Sequence, residues 1–281
     1  MKIKEVKAKS IIVKTSLPEG DYVINPYTGC AHGCKYCYAR FMKRFTGHTE
    51  PWGKFVDVKI NAPDLIPTDT NKYKNKWITV GSVTDPYQPI ERKYRLTSKI
   101  LEKLIPLQPN LDVMTKSDLV LRDIDLLKQF KTCIVAFSLS NLDDTIRREL
   151  EPLVPSVNKR IDALKELHEA GIQTILFVSP IFPEITNWQE IINKTKGFVD
   201  EYWFENLNLY PSIRGNIYGF LRKHRPNLVE KYKEIYSKDS DYWEGKEKKI
   251  KKFCRENKTS HRIYFHHRRA TRTKKPFSKT S

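Results

Sequence analysis

Short apolar runs alternate with longer amphipathic stretches along most of the chain. The runs hold about five residues, and helical stretches of about ten residues separate them, a pattern typical of β-strand–α-helix units in a parallel sheet. The expected strands are 22–24, 55–60, 77–81, 111–115, 133–138, 174–178 and 202–209. The expected helices among them are 97–105, 123–130, 156–170 and 188–196.

This alternation predicts an α/β chain with a partial (β/α)6 TIM-like barrel over residues 22–210. A polar lead-in at 1–21 precedes it, and a helical, basic extension is expected at 211–270. The elements expected there are helices at 216–224, 227–237 and 245–257 and a short strand at 262–266. Residues 271–281 are expected to form a disordered basic tail.

Charge is distributed unevenly along the chain. The sequence has 51 Lys and Arg against 33 Asp and Glu, a net charge of +18. From residue 245 to the end there are 14 basic residues against two acidic ones. A cationic surface favours a polyanion through counterion release, so a nucleic acid is the expected partner of the basic C-terminal region. The alternatives are a solvated tail and an acidic protein partner.

Composition also predicts where the protein works. No apolar run approaches the roughly 18 residues that cross a bilayer, so no membrane is expected as a partner. The first residues have no apolar segment of the kind found in secretory signals. Five cysteines, three of them in one short motif, fit a reducing cytoplasm better than a disulfide framework.

The segment 29–38, Gly-Cys-Ala-His-Gly-Cys-Lys-Tyr-Cys-Tyr, carries the strongest chemical pattern. Gaps of three and two residues let one loop bring Cys30, Cys34 and Cys37 to a single metal centre. Three thiolates this close repel one another unless a metal takes up their charge. A structural zinc site needs four ligands, and no fourth Cys or well-spaced His follows nearby. The pattern therefore favours a 4Fe–4S cluster with one open iron over a zinc loop.

This run, followed by the aromatic Tyr38, resembles the signature of the radical S-adenosylmethionine (SAM) enzymes. The resemblance implies that SAM chelates the open iron and that the reduced cluster cleaves SAM to a 5′-deoxyadenosyl radical. It further implies that Tyr38 lies against the adenine. A flavodoxin- or ferredoxin-type electron donor is an expected partner.

Four further segments lie near the carboxyl ends of expected strands, where parallel α/β proteins gather their sites. They are 81–89, 115–118, 137–140 with 151–156, and 177–183. Their order behind the cysteine loop resembles the spore photoproduct lyase-like branch of the superfamily, often labelled "DNA repair photolyase".

The resemblance implies roles for four residues of these segments. Lys116 matches the position that meets the methionyl carboxylate, and Ser138 matches one that hydrogen-bonds the ribose. Asp85 and Ser179 are candidates for polar contacts with the nucleotide. The alternatives are a solvated surface side chain for Lys116 and a turn or capping role for Asp85.

One position departs from the lyase pattern. In the lyase, a cysteine that supplies a hydrogen atom lies in the segment equivalent to 82–85, where this chain has Ser82. An O–H bond is too strong to quench a carbon radical as a thiol does, so dimer repair by the lyase's mechanism does not follow. Ser82 remains a candidate substrate contact, and Tyr36, Tyr38 and Tyr87 are candidate radical relays.

The end of the last expected strand supplies three more candidate substrate contacts, Glu205, Asn206 and Asn208. Beyond it, the chain resembles the paired radical enzymes encoded together on mobile elements. That resemblance implies a second radical SAM protein as a partner.

The combined hypothesis is an enzyme that abstracts hydrogen from a substrate in the barrel, as a lyase or a modifying enzyme. Nucleic acid is the first substrate class, because Tyr264, Phe265 and Phe277 interleave with basic residues near the C-terminus. A peptide or protein substrate is the first alternative. The second is a non-catalytic, metal-stabilised nucleic-acid-binding protein, which would contain zinc.

Overall fold

The computed structural model describes residues 1–18, 20–68 and 71–266. Its strands are β1 (Lys2–Val6), β2 (Ile12–Lys14), β3 (Tyr22–Ile24), β4 (Tyr27–Thr28), β5 (Phe55–Lys59), β6 (Trp77–Val80), β7 (Asn110–Thr115), β8 (Cys133–Ser138), β9 (Gln173–Ile181), β10 (Glu201–Asn206) and β11 (His261–Ile263). Its α-helices are α1 (Glu91–Tyr94), α2 (Leu96–Leu104), α3 (Ile124–Leu127), α4 (Asp144–Leu150), α5 (Val157–Glu169), α6 (Trp188–Thr195), α7 (Pro211–His224), α8 (Val229–Ile235) and α9 (Tyr242–Glu256). Short 3-10 helices occupy Tyr38–Phe45, Pro63–Leu65, Ile105–Leu107, Asp118–Asp123 and Pro226–Leu228.

The main sheet has eight strands in the order β11-β10-β9-β8-β7-β6-β3-β2. All neighbours pair in parallel except β2, which runs antiparallel to β3 at the edge. The six strands from β3 to β10 in this sheet confirm the expected α/β class with a partial barrel. Their carboxyl ends share one edge of the sheet, which we call the mouth.

The expected strand at 55–60 was wrong as a barrel strand. It exists as β5, but it belongs to a separate three-stranded sheet of order β1-β5-β4. Its first four residues are all buried, so its apolar run resembles that of a barrel strand. β1 lies in the expected polar lead-in and was missed because four of its five residues are exposed and three of them are Lys or Glu.

Alternate side chains of the barrel strands face two different cores, as β8 illustrates. Ile134 and Ala136 join Ile175 in a small cluster with Trp203, whereas Val135 and Phe137 pack in the large core with the helices. This alternation follows from the two-residue period of a strand. Each fully buried aliphatic side chain contributes about 1.5–3 kcal/mol.

Helix α5 shows how local sequence sets an element's limits. The Ser156 hydroxyl accepts a hydrogen bond from the Lys159 amide and caps its first turn. Val157, Ile161 and Leu164 bury one face at helical spacing. The helix ends before Gly171, which has a positive φ of 81°.

The C-terminal part adds helices and one strand to the same body. Trp243, Ile250 and Cys254 of α9 belong to the large core that the barrel strands build. β11 extends the main sheet by parallel pairing with β10. The expected tail at 271–281 lies outside the described residues. None of the helices in the described ranges is long and apolar enough to span a membrane.

Candidate active site at the cysteine loop

The cysteine loop follows β4 and ends at the 3-10 helix Tyr38–Phe45. The segments between the cysteines form two turns. In the first, the Gly33 amide donates a hydrogen bond to the Cys30 carbonyl, and in the second, the Cys37 amide donates to the Cys34 carbonyl. Gly29 enters the loop with φ +88°, and a Cβ there would lie 2.5 Å from the Phe55 carbonyl oxygen. Glycine is therefore required where the chain turns into the motif.

The segment after β6 holds the loop in place. The Thr84 hydroxyl donates to the Gly29 carbonyl at 2.7 Å, and the Ala31 amide donates to Gln88 Oε1 at 2.7 Å. Gln88 is fully buried. Sequence reasoning missed Thr84 and Gln88, although their segment, 81–89, had been singled out by its position.

Burial and mutual repulsion keep two of the thiols protonated in the metal-free chain. Burial and the nearby Glu151 raise the pKa of Cys34 well above its ordinary value, and Lys116 opposes this. Burial and the charge of Cys30 raise the pKa of Cys37 to about 11. The three thiols interact electrostatically and lie beside a cation, so their donor set fits an iron–sulfur cluster, whose loading displaces the thiol protons.

Across the described ranges, no three His, Cys, Asp or Glu side chains surround a single ion position. His32, inside the motif, points its Nδ1 at Asp85, 3.3 Å away. Burial disfavours its charged form, but Asp85 and Cys30 outweigh burial and raise the pKa of His32 to about 10.

A buried ion pair lies behind the motif. Glu151 and Arg160 are 2.9 Å apart, and each side chain is 1% exposed. The Tyr36 hydroxyl donates to Glu151, and Arg160 Nη1 donates to the Ser138 carbonyl at 3.0 Å. Burial works against ionisation of Glu151, but Arg160 and Lys116 bring its pKa below the ordinary value. Sequence reasoning assigned no role to Glu151 or Arg160; their charges between apolar positions were the available indication.

Several predicted residues meet on the mouth side of the loop. Lys116 Nζ lies 5.9 Å from the centre of the Tyr36 ring. The Tyr38 hydroxyl donates to the Ser82 carbonyl, and Asn25 Nδ2 donates to the Ser82 hydroxyl at 3.0 Å. The fold therefore brings Lys116, Tyr36, Tyr38 and Ser82 to the cysteines, while their proposed roles stay predictions.

Asp85 is occupied by donors from the protein. It accepts hydrogen bonds from the Thr115 hydroxyl at 2.7 Å, the Lys116 amide at 2.8 Å and the Tyr87 amide at 2.9 Å. The bond to the amide two residues on is the turn role considered from the sequence. Asp85 positions Lys116, and its contact with the nucleotide stays a prediction.

Tyr87 and two cysteines lie elsewhere. Tyr87 is fully buried in the large core, where its electrostatic neighbours are Asp123, Glu91 and Arg122 rather than the cysteine motif. Cys133 is half-buried at the start of β8, and Cys254 is buried on α9. The structure therefore does not bring Tyr87 to the place where a radical relay was expected.

A second polar group occupies the carboxyl ends of β9 and β10. The Ser179 hydroxyl donates to Glu205, and Glu205 Oε1 lies 2.8 Å from His266 Nε2. Asn206 Oδ1 accepts a hydrogen bond from the His266 amide at 2.8 Å, so Asn206 holds His266 in place. Asn208 bonds through its carbonyl to the Tyr210 amide at 2.8 Å.

This group faces the cysteine loop. Although Tyr38 is 45% exposed, desolvation of its hydroxyl raises the pKa of Tyr38, and the charges of Cys37 and Glu205 raise it further. Glu205 is therefore close enough to act on the residue that follows the motif. The predicted contacts Ser179, Glu205 and Asn208 gather at the same mouth as the cysteines.

The Radical SAM superfamily profile matches residues 24–194, and the chain belongs to this superfamily. An uncharacterised protein of Methanocaldococcus jannaschii is 43% identical over 236 residues, covering 84% of this chain and 86% of that protein. A radical SAM Nalpha-GlyT isomerase of Pseudomonas phage M6 is 28% identical over 168 residues, covering 59% of this chain and 34% of that protein.

Among solved structures, spore photoproduct lyase complexed with dinucleoside spore photoproduct is similar, with a TM-score of 0.71 and 18% identity. The match covers 94% of this chain and 82% of the lyase chain. The two proteins share a fold, which confirms the expected likeness to the spore photoproduct lyase-like branch. The superfamily uses a 4Fe–4S cluster and SAM, and the lyase has also been solved with bound AdoMet.

Proposed function

We propose that this protein is a radical SAM enzyme that abstracts hydrogen from a nucleic acid, as a lyase or a modifying enzyme. The bound cluster and SAM supply the 5′-deoxyadenosyl radical by reductive cleavage. Cys30, Cys34 and Cys37 would hold the cluster, because their thiols are neighbours in one loop beside Lys116.

The path of the chain from β11 to His266 supports the choice of a nucleic acid as the substrate. β11 runs parallel to β10, so the chain advances along it toward the mouth. Tyr264 bonds through its amide to the Phe204 carbonyl at 2.8 Å, and His266 bonds to Asn206 and Glu205. The sequence from 267 onward has six Lys and Arg and no Asp or Glu. This basic sequence follows directly after His266, and cations of this kind favour a phosphate backbone.

Two similar proteins support this direction. Spore photoproduct lyase, which shares the fold, binds a dinucleoside photoproduct. The phage relative is an isomerase of the same superfamily, which supports an enzyme over a binding protein. An electron donor of flavodoxin or ferredoxin type and a second radical SAM protein remain proposed partners.

The chain's own residues define the rest of the site. Lys116, whose amide is fixed by Asp85, would face the methionyl carboxylate. Arg160 donates a hydrogen bond to the Ser138 carbonyl, and the Ser138 side chain would contact the ribose. Ser82 adjoins Tyr38 and offers no thiol hydrogen, so we expect a product other than one made by cysteine quenching.

The test starts from the full chain, purified and reconstituted without oxygen, with dithionite and SAM. We expect 5′-deoxyadenosine, its loss in Cys30→Ala, Cys34→Ala and Cys37→Ala, and faster formation when an oligonucleotide is added. A chain ending at residue 266 should need more oligonucleotide while its basal SAM cleavage is unchanged. Stimulation by peptides and not by nucleic acid would transfer the proposal to a peptide substrate. Bound zinc without 5′-deoxyadenosine would contradict an enzyme and favour the binding protein.

A further inference from the structure

Exposed aromatic side chains cluster beside the mouth. In the described ranges, the aromatic residues among the exposed large hydrophobic side chains are Tyr38, Phe41, Phe45 and Tyr210, with exposures of 45%, 39%, 67% and 41%. Three of the four lie on the 3-10 helix that begins directly after Cys37. We call these four residues the aromatic strip.

The strip leads outward from the cysteine loop. The Tyr38 and Phe41 ring centres are 6.4 Å apart with planes inclined by 28°, and those of Phe41 and Phe45 are 6.5 Å apart. At the inner end, Tyr210 interacts electrostatically with Tyr38. Tyr38, Phe41 and Phe45 therefore form a series of neighbouring rings that begins directly after the cysteine motif.

The same helix is basic. It contains Arg40, Lys43 and Arg44 and no acidic residue. The Arg44 guanidinium lies 5.4 Å from the Phe41 ring centre and 4.8 Å from that of Phe45. Lys43 Nζ donates to the Thr49 carbonyl at 2.7 Å, so its charge is held beside the strip.

Packing does not explain these rings. Ala39 is the one buried residue of the helix, and Phe45 is the most exposed of the four aromatic side chains. Contiguous apolar surface of this kind marks a binding site, whereas single exposed apolar residues are normal. Aromatic rings interleaved with cations are the combination that binds single-stranded nucleic acids, since bases stack on the rings while cations meet the phosphates.

We infer that Phe41 and Phe45 of the aromatic strip are a stacking platform for unpaired bases of the strand that enters the mouth, with Lys43 and Arg44 on its phosphates. This inference rests on the proposed nucleic-acid substrate and narrows it to a strand that is unpaired next to the reacting nucleotide. Bases in a duplex are already stacked on their neighbours, so the rings gain access only to a single strand or an extruded base.

The test is binding of a labelled single-stranded oligonucleotide to the cluster-loaded full chain, followed by fluorescence anisotropy. Phe41→Ala and Phe45→Ala should each raise Kd by about 5-fold to 150-fold, the range reported for loss of one stacked base. Phe45→Tyr keeps the ring and should retain the affinity. Val13→Ala removes an apolar side chain of β2 that is 49% exposed, between Phe41 and Phe45 in exposure, and should have no effect. Basal SAM cleavage without nucleic acid should be unchanged in all four variants.

Three results would overturn the inference. One is wild-type affinity of Phe45→Ala for the single strand, which would leave the proposed function intact. Another is an equal loss of affinity for a duplex of the same length. The third is a loss of affinity for a flavodoxin-type donor alone, which would make the strip a protein-docking surface. If the unmodified chain binds no nucleic acid of either form, the proposed function fails together with the inference.

Discussion

Glu151 is a carboxylate buried close to Cys34, one of the three proposed cluster ligands. Its desolvation is offset by Arg160 at 2.9 Å, by the Tyr36 hydroxyl and by the charge of Lys116. A buried pair of this kind adds little to stability when complete, but loss of one partner leaves an uncompensated charge. The pair thereby fixes Tyr36, between two of the proposed cluster ligands, and the end of β8 in one arrangement.

We expect Glu151→Gln to lower the free energy of unfolding by about 3–5 kcal/mol, because Arg160 keeps a buried charge without a partner. Urea unfolding of the metal-free chain measures the change. Glu169→Gln is the matched control, since Glu169 pairs with Lys165 on the surface and should unfold as the parent does. A Glu151→Gln chain as stable as the control would show that the pair does not constrain the site.

Lys116 should determine SAM affinity. Replacement by Met removes a charge-assisted hydrogen bond and should raise the Kd for SAM by about 10-fold to 100-fold. Equilibrium dialysis under anaerobic conditions measures it, with iron content confirming that the cluster is retained. Lys131→Met, an exposed lysine beyond α3, is the control. Unchanged SAM affinity in Lys116→Met would remove Lys116 from the nucleotide site.

At the scale of single residues, the sequence predicted those residues whose spacing alone indicates a metal centre. Cys30, Cys34 and Cys37 could be identified because three thiols in one short loop have few other uses. Glu151 and Arg160 could not, since a charge pair becomes informative only when both members prove to be buried. Asp85 was open to two interpretations, because its partners Thr115 and Lys116 come from a different strand.

Among the elements, the cysteine loop depends on a close backbone contact. Gly53, just before β5, has φ +88°, and a Cβ there would lie 2.6 Å from the Gly33 Cα inside the motif. The segment before β5 therefore supports the loop from below. No side chain fits between the two backbones.

We expect Gly53→Ala to destabilise the chain by about 2–4 kcal/mol, from left-handed backbone strain and overlap with the motif. It should also lower the iron and sulfide bound after reconstitution. Gly47→Ala is the matched control, because a Cβ there meets nothing within 4 Å. Normal cluster content in Gly53→Ala would show that the loop tolerates displacement.

The hydrogen bond between His266 and Glu205 at the mouth should depend on pH. The hydrogen bond to Glu205 raises the pKa of His266 above its ordinary value. The bond therefore contributes fully below about pH 6.5, the ordinary histidine pKa, and is lost as pH rises through the raised pKa. Amide exchange at His266, corrected for intrinsic rates, should accelerate from about pH 6.5 upward. Glu205→Gln should remove this pH dependence; a dependence that persists would point to a different group.

The sequence predicted the parallel strands well because their apolar runs are bounded by helices of clear period. It misplaced β5, whose run is as apolar as a barrel strand, because sheet membership depends on a partner near the N-terminus. It missed β1 because four of its five residues are exposed, so β1 does not show the apolar–polar alternation of a half-buried strand.

At the scale of the whole molecule, the candidate site residues gather at one edge of the main sheet. The parallel sheet brings the cysteine loop, Lys116, Ser179 and Glu205 to the mouth, and β11 leads the chain to His266 on the same side. The net charge of +18 supports a polyanion as the proposed substrate. The basic region was evident from composition. The position of His266 at the mouth was not, because it depends on the pairing of β11 with β10.

The central claim is that a nucleic acid loses hydrogen to the radical formed at this site. The most direct test incubates the reduced, cluster-loaded chain with SAM and a single-stranded oligonucleotide deuterated on its sugars and bases, and examines 5′-deoxyadenosine by mass spectrometry. We predict deuterium in the 5′-deoxyadenosine, absent with unlabelled oligonucleotide and with Cys34→Ala. Sustained formation of 5′-deoxyadenosine that never carries deuterium, across oligonucleotides of different sequence, would contradict the account.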